Sequence, residues 1–230
     1  MESTPATGGR ATSGHEGPRD HEARLVLRLQ ELDHRARNTL AIVLALIDQT
    51  AATSVEELRA ELHARVSALS RLHDVIARNE EGAVRTMEMV RLALTPHAPS
   101  PDRFEVSGLD LALPSSLGSP LFMACHELAV NARKHGALSG SEGRVVVEVT
   151  LDRAREALEI KWEERGGPAV AAHPTRGFGL TIIERGLEYE VGGRAELDFQ
   201  AEGLKARLTV PMPESGSTTT AEAVRGGTER

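Results

Sequence analysis

Aromatic residues make up only 3% of this 230-residue chain, and it has one tryptophan and one cysteine. So few aromatic faces argue against a surface built to stack on bases or sugars. Positive charge is not in excess either. Lys and Arg number 27 against 34 Asp and Glu, a net charge of −7, so no basic footprint invites a polyanion and no nucleic-acid partner is expected. Cys125 alone cannot close an internal disulfide, which fits a reducing compartment, by default the cytoplasm. No run approaches the ~18 apolar residues of a membrane span, and residues 1–20 are polar, without a secretory apolar core. A membrane partner is therefore not expected, and any signal is expected to arrive from a soluble one.

The 40% of apolar residues suffices for one fair-sized core or two modest ones. Residues 1–20 and 214–230, rich in Gly, Ser and Thr, read as disordered tails. Between them there is no internal repeat. Leu25, Leu29, Leu32, Ala36, Leu40, Val43 and Ile47 step by four and three, which predicts one long amphipathic helix over 22–51. A second stripe, Leu58, Leu62, Val66, Leu69, Leu72 and Ile76, starts after a cap at Thr53 or Ser54 and stops at Asn79–Gly82. The two make a helical hairpin over 21–82, expected to complete its core against a second copy or against the rest of the chain. Over 83–213 the spacing predicts a short helix at 86–95, a strand or two within 101–113 and a helix from Ser116 to His135. Strands follow at 144–151 and 157–162, then a helix at 180–190 and strands at 194–199 and 204–210. Without strict βαβ alternation, the fold class expected is α+β, a sheet with helices on one face.

His34 lies two residues from Leu32 and from Ala36, about 200° around the helix, so it is expected to face solvent. An imidazole that attacks a phosphorus atom and later presents the phosphate to another protein needs that exposure. Asp33 beside it could accept the other ring proton, and Asn38 one turn on could orient a water or the acceptor. On spacing alone, an exposed helical histidine such as His34 is usually an ordinary solvated residue. Downstream, Glu127, Asn131 and Lys134 fall at i, i+4 and i+7 as one polar ridge, beside the apolar face of Leu121, Cys125, Leu128 and Ala132. A carboxylate, an amide oxygen and an ammonium in a row suit a magnesium triphosphate, and also suit a plain solvated face. Glycines recur at Gly166-Gly167 and at Gly177 and Gly179, the latter just before a predicted helix, where backbone amides can approach phosphate. Alone they are ordinary turns. Trp162 precedes Glu163 and Glu164, where a carboxylate could read an adenine amino group and the indole could equally be core.

In this order and spacing the segments resemble the HWE subgroup of histidine kinases. His34 with Arg35, Arg37 and Asn38 is similar to its H-box, and His126 to Ser139 (HELAVNARKHGALS) to its N-box. His126, Trp162 and Glu164 match the three residues that name the subgroup. Trp162 to Pro168 resembles its first glycine box, and Gly177 to Gly179 its second. The resemblance covers about residues 20 to 212. It implies a dimerisation and phosphotransfer hairpin followed by an ATP-binding α/β sandwich of the Bergerat type. Its implied roles give Mg2+ to Asn131, assistance of phosphoryl transfer to Glu127, phosphate neutralisation to Lys134 and adenine recognition to Glu164. His126, Trp162, Gly166, Gly167, Gly177 and Gly179 would complete and shape the nucleotide pocket. The implied partners are a response regulator receiver domain and a second copy of the chain.

Arg37, Val130 and His135 stand where the subgroup commonly has lysine, threonine and tyrosine, and none of these changes removes a proposed catalytic group. Such kinases usually carry sensory domains ahead of the hairpin, whereas residues 1–20 are polar here, so a separate sensory partner in trans is expected. The short 165–178 segment is expected to hold nucleotide loosely until a partner closes the site. Two rival readings are a non-catalytic phosphotransfer or scaffold protein, and a serine kinase of the same ATPase superfamily.

Overall fold

The computed structural model describes residues 18–50, 52–79, 82–169 and 178–212. Residues 1–17 of the expected tail 1–20, the expected tail 214–230, Gly177, and the side chains of Leu25, Leu32, His34 and Asn38 lie outside the described residues, while residues 18–20, expected as tail, are helical. The chain divides into two units, Met1–Leu40 and Ala41–Arg230. Helix α1 (Pro18–Gln49) crosses their boundary. It starts earlier than expected, with Pro18 in the first helical position, where its fixed φ is already helical.

The face of α1 that is buried differs from the expected stripe. Leu29, Leu40 and Ile47 are exposed, at 65%, 62% and 50%, and Ala36 is exposed too. Ile42 and Leu46 are buried instead, one turn apart, and with Pro120, Met123 and Ile182 they line a cavity of about 220 Å³. The reason lies in the run LAIVLALI at 40–47, which is apolar all round. It offers two faces, and periodicity alone cannot choose between them. Packing against the two later helices that supply Pro120, Met123 and Ile182 does.

Helix α2 (Val55–Arg78) is capped as its sequence predicts. The Glu57 N–H donates to Ser54 Oγ at 3.1 Å, and the Glu57 carboxylate reaches back to the Thr53 N–H at 2.8 Å. Leu69, Leu72 and Ile76 are buried as expected, Leu58 and Leu62 are half-buried, and Val66 is exposed. Arg65 and Ala68 join the buried face. A short strand β1 (Ala83–Arg85) and helix α3 (Thr86–Leu94) follow, then β2 (Phe104–Gly108), β3 (Ala112–Pro114) and the long helix α4 (Ser115–Lys134). Strands β4 (Arg144–Asp152) and β5 (Ala157–Arg165), helix α5 (Phe178–Val191), β6 (Arg194–Gln200) and β7 (Gly203–Pro211) complete the chain.

Five strands form one sheet in the order β2-β4-β5-β7-β6, with β2 parallel to β4 and every other pair antiparallel. β1 and β3 pair separately. The period-2 alternation sends Val145, Val147 and Val149 of β4 and Leu158, Ile160 and Trp162 of β5 into the core. Helix α4 lies between α3 and α5 and is buried over most of its length, with α2 packed on it as well. This is the α+β arrangement the sequence predicts. Among the described residues no helix is long and apolar enough to cross a membrane.

Candidate nucleotide and phosphotransfer site

The polar ridge of α4 is not a solvated face. Glu127 is 1% exposed, Asn131 is half-buried and only Lys134 reaches solvent, while the apolar side of the helix, Leu121, Cys125, Leu128 and Ala132, is fully enclosed. Burial pushes the Cys125 thiol up to about 12, so it stays protonated and inert. Gly179, at the start of α5, abuts the ridge. A Cβ built there would lie 2.9 Å from Glu127 Oε2 and 3.3 Å from Asn131 Nδ2. Two of the sequence boxes, 48 residues apart by numbering (179 − 131), therefore meet at one place.

Glu164 occupies the next inward position after Leu158, Ile160 and Trp162 on β5, where the alternation calls for an apolar residue. It is 4% exposed. Its carboxylate accepts from the Ala137 N–H at 2.7 Å and from the Trp162 indole N–H at 3.4 Å. Burial pushes its carboxyl up from the ordinary range, and those two hydrogen bonds pull the other way. Backbone crowds round it. A Cβ on Gly136 would sit 2.0 Å from Glu164 Oε2, and one on Gly167 would sit 2.6 Å from Ala137 Cα. Gly166, with φ +66°, turns the chain at the end of β5. Trp162 is thus both core and positioning group, one answer to the two readings its sequence left open.

His126 goes elsewhere. Its Nδ1 lies 3.3 Å from His97 Nε2, its ring stacks on Phe122, and its Nε2 is buried without a partner among the described residues. Burial first, then the charges of His97, Arg71 and Arg65, push it down to about 3. His97 is lowered as well, again by burial first. Both shifts favour the neutral imidazole.

Sequence reasoning missed two residues that touch the site's members, Arg65 and Glu61, and two that brace their surroundings, Thr50 and Arg103. Arg65 of α2 grips Glu127 with a two-pronged guanidinium, Nε to Oε1 at 2.8 Å and Nη2 to Oε2 at 3.0 Å. Its Nη1 donates to Thr50 Oγ1 at 3.0 Å. Glu61 takes the Lys134 ammonium. Arg103 donates to the carbonyls of Gly140 and Gly143, bracing the loop that carries Ala137. Only Arg65 had a local signal, a charged residue at i−4 from the apolar Leu69, on the buried face of α2. Asp33 pairs with Arg37 at 2.6 Å in the first unit, where both are exposed.

The residues fit a magnesium nucleotide in part. The Asn131 amide has no hydrogen-bond partner among the described residues, so its oxygen is available to a hard cation that keeps its remaining ligands as water and phosphate. Among those residues no cluster of three or more His, Cys, Asp or Glu could hold a metal without such help.

Comparison with known proteins follows this geometry. Residues 31–110 match the family model described as HWE histidine kinase. The chain is 33% identical over 190 residues to the "Blue-light-activated histidine kinase" of Rhizobium johnstonii, covering 83% of this chain and 54% of that protein. It is 35% identical to "Blue-light-activated histidine kinase 1" of Erythrobacter litoralis, covering 79% and 52%. The chain thus spans about half the length of these curated relatives. In fold it resembles the solved "Erythrobacter litoralis EL346 blue-light activated histidine kinase", with a TM-score of 0.57, 16% identity and coverage of 87% of this chain and 62% of that one. The isolated histidine kinase domain from that protein superposes with a TM-score of 0.50, 13% identity and coverage of 74% and 92%. Over residues 31–110 the chain thus matches the HWE histidine kinase family model, and over 190 residues it is similar to blue-light-activated histidine kinases.

Proposed function

We propose that this chain is a histidine protein kinase that autophosphorylates His34 from Mg-ATP and then passes the phosphoryl group to an aspartate on a response regulator receiver domain. The observation that carries the reading is the meeting of Glu127, Asn131 and Gly179, residues of two separate boxes, in a chain that also buries the Glu164 carboxylate. Residues 21–82 would be the phosphotransfer hairpin and 83–213 the nucleotide-binding domain. Asn131 would hold the metal ion through its amide oxygen, and Lys134 would neutralise phosphate. Glu164 and Trp162 would line the adenine end, with Gly166, Gly167, Gly177 and Gly179 leaving room for the nucleotide. The bound metal would supply charge neutralisation at the phosphates.

In the transfer, a His34 ring nitrogen forms a bond to the γ-phosphorus as the bond to the β-γ bridging oxygen breaks, and ADP leaves. Asp33 would accept the other ring proton, Asn38 would orient the acceptor, and Glu127 would assist as a base. A homodimer and a separate sensory partner in trans belong to the same proposal. A cytoplasmic location is supported by the single, inert cysteine. His126 is the weakest member of the proposed pocket, because it pairs with His97.

The test is incubation of the full chain with labelled ATP and Mg2+, beside His34→Gln and Asn131→Ala. Acid-labile, base-stable label in the wild type and none in either variant is expected. Acid-stable label would point to the serine kinase reading, and label persisting in His34→Gln would overturn the assignment of the acceptor.

A further inference from the structure

Two of the three charged or polar members of the α4 ridge are already engaged, and by one face of one helix. Arg65 is 6% exposed and Glu127 1%, and both carboxylate oxygens accept from the guanidinium. Each carboxylate oxygen already accepts a guanidinium N–H, and the group is held by the fork in one orientation, turned to Arg65. Lys134 is held by Glu61, the residue one turn before Arg65 on α2, and Glu61 Oε2 also lies 3.8 Å from Arg65 Nη2. The spacing matches on both sides. Residues i and i+4 of α2 meet residues i+7 and i of α4, antiparallel in order, so one displacement of α2 would release both. The side chain of Asn131, between Glu127 and Lys134 on α4, has no hydrogen-bond partner among the described residues.

We infer that Arg65, seconded by Glu61, is a latch that holds Glu127 and Lys134 out of the phosphotransfer reaction, and that activation requires α2 to withdraw it. The inference rests on the histidine kinase reading above. A half-broken buried ion pair is strongly unfavourable, so the latch keeps both partners or neither. Thr50 sets its tension. The Thr50 hydroxyl accepts from Arg65 Nη1 and donates to the Leu46 carbonyl, which ties the guanidinium to the end of α1. Because Asn131 stays open, the latched form still admits the metal nucleotide, and the control falls on turnover more than on binding.

The experiment uses the full chain with labelled ATP and Mg2+, comparing wild type, Arg65→Gln, Thr50→Val and His34→Gln. Arg65→Gln is expected to raise the initial rate of acid-labile labelling about tenfold, the rise lying in kcat with little change in KM for ATP. Thr50→Val, which keeps the guanidinium and removes one of its acceptors, is expected to raise it about threefold. A folded Arg65→Gln protein that labels at the wild-type rate or slower overturns the latch. Should circular dichroism show Arg65→Gln unfolded, Thr50→Val decides, and an unchanged or lower rate there overturns it equally. A wild type that labels while the variants gain nothing sinks the latch alone. Absence of phosphohistidine in every protein sinks the kinase reading and the latch with it.

Discussion

Glu164 is a residue that sits against the rule of its own strand. Every other inward position of β5 is apolar, and a carboxylate there is tolerated because Ala137 and Trp162 supply N–H groups. Nothing larger than a hydrogen fits at Gly136, where an added Cβ would lie 2.0 Å from the carboxylate and 2.9 Å from Ala132 Cα. Gly136→Ala is therefore expected to displace Glu164, cost roughly 1–3 kcal/mol of stability and weaken nucleotide binding by about tenfold or more. Calorimetric titration with ATP and a urea melt check the two effects separately. The expected strand stopped at 162, so the sequence did not place Glu164 in the core stripe; β5 runs on to Arg165 and carries it inward. Its partner Ala137, whose backbone rather than side chain does the work, was not visible, because a backbone N–H leaves no mark in residue identity.

At the scale of elements, the turn between β6 and β7 must bring its backbone hard against β5. Gly203 adopts φ +147°, and an added Cβ would lie 2.3 Å from the Glu164 carbonyl oxygen. Gly192, which ends α5 with φ +62°, has open space where its Cβ would be. Gly203→Ala is expected to destabilise by roughly 2–4 kcal/mol, through strain and a backbone clash together. Gly192→Ala is expected to lose only about 1 kcal/mol, through strain alone. Chemical denaturation of the two variants side by side measures the difference. The turn at Glu202-Gly203 was legible between the two expected strands. Which glycine faced a neighbouring strand was not, since that depends on register between strands far apart in the chain.

For the whole molecule, two features invite measurement. His126 is pushed down to about 3 from an unfolded value near 6.5, so the folded state resists a proton that the unfolded chain accepts. The stability this represents is complete above pH ~6.5 and is lost as pH falls from there toward 3, by about 2 kcal/mol at pH 5. His97, lowered by its own burial, acts in the same direction. Melting temperature should therefore decline below pH 6.5, and His126→Phe should flatten that decline. The second feature is the exposed apolar stripe of α1, with Val26, Leu29, Leu40, Leu44 and Ile47 each about half exposed or more. If the proposed homodimer uses it, a Leu40→Glu, Leu44→Glu double variant is expected to run as a monomer in light scattering with its helicity retained. An unchanged dimer would remove this stripe from the interface.

The sequence by itself determined the main helices and the later strands, the cap region of α2, and the single helix that carries Glu127, Asn131 and Lys134. Each of these follows from spacing within one segment. The tertiary structure alone decided which apolar face of α1 is buried, that His126 pairs with His97, and that Arg65, 62 residues from Glu127, closes on its carboxylate. Those contacts depend on how separate elements dock, and local periodicity carries no information about the partner a face will meet.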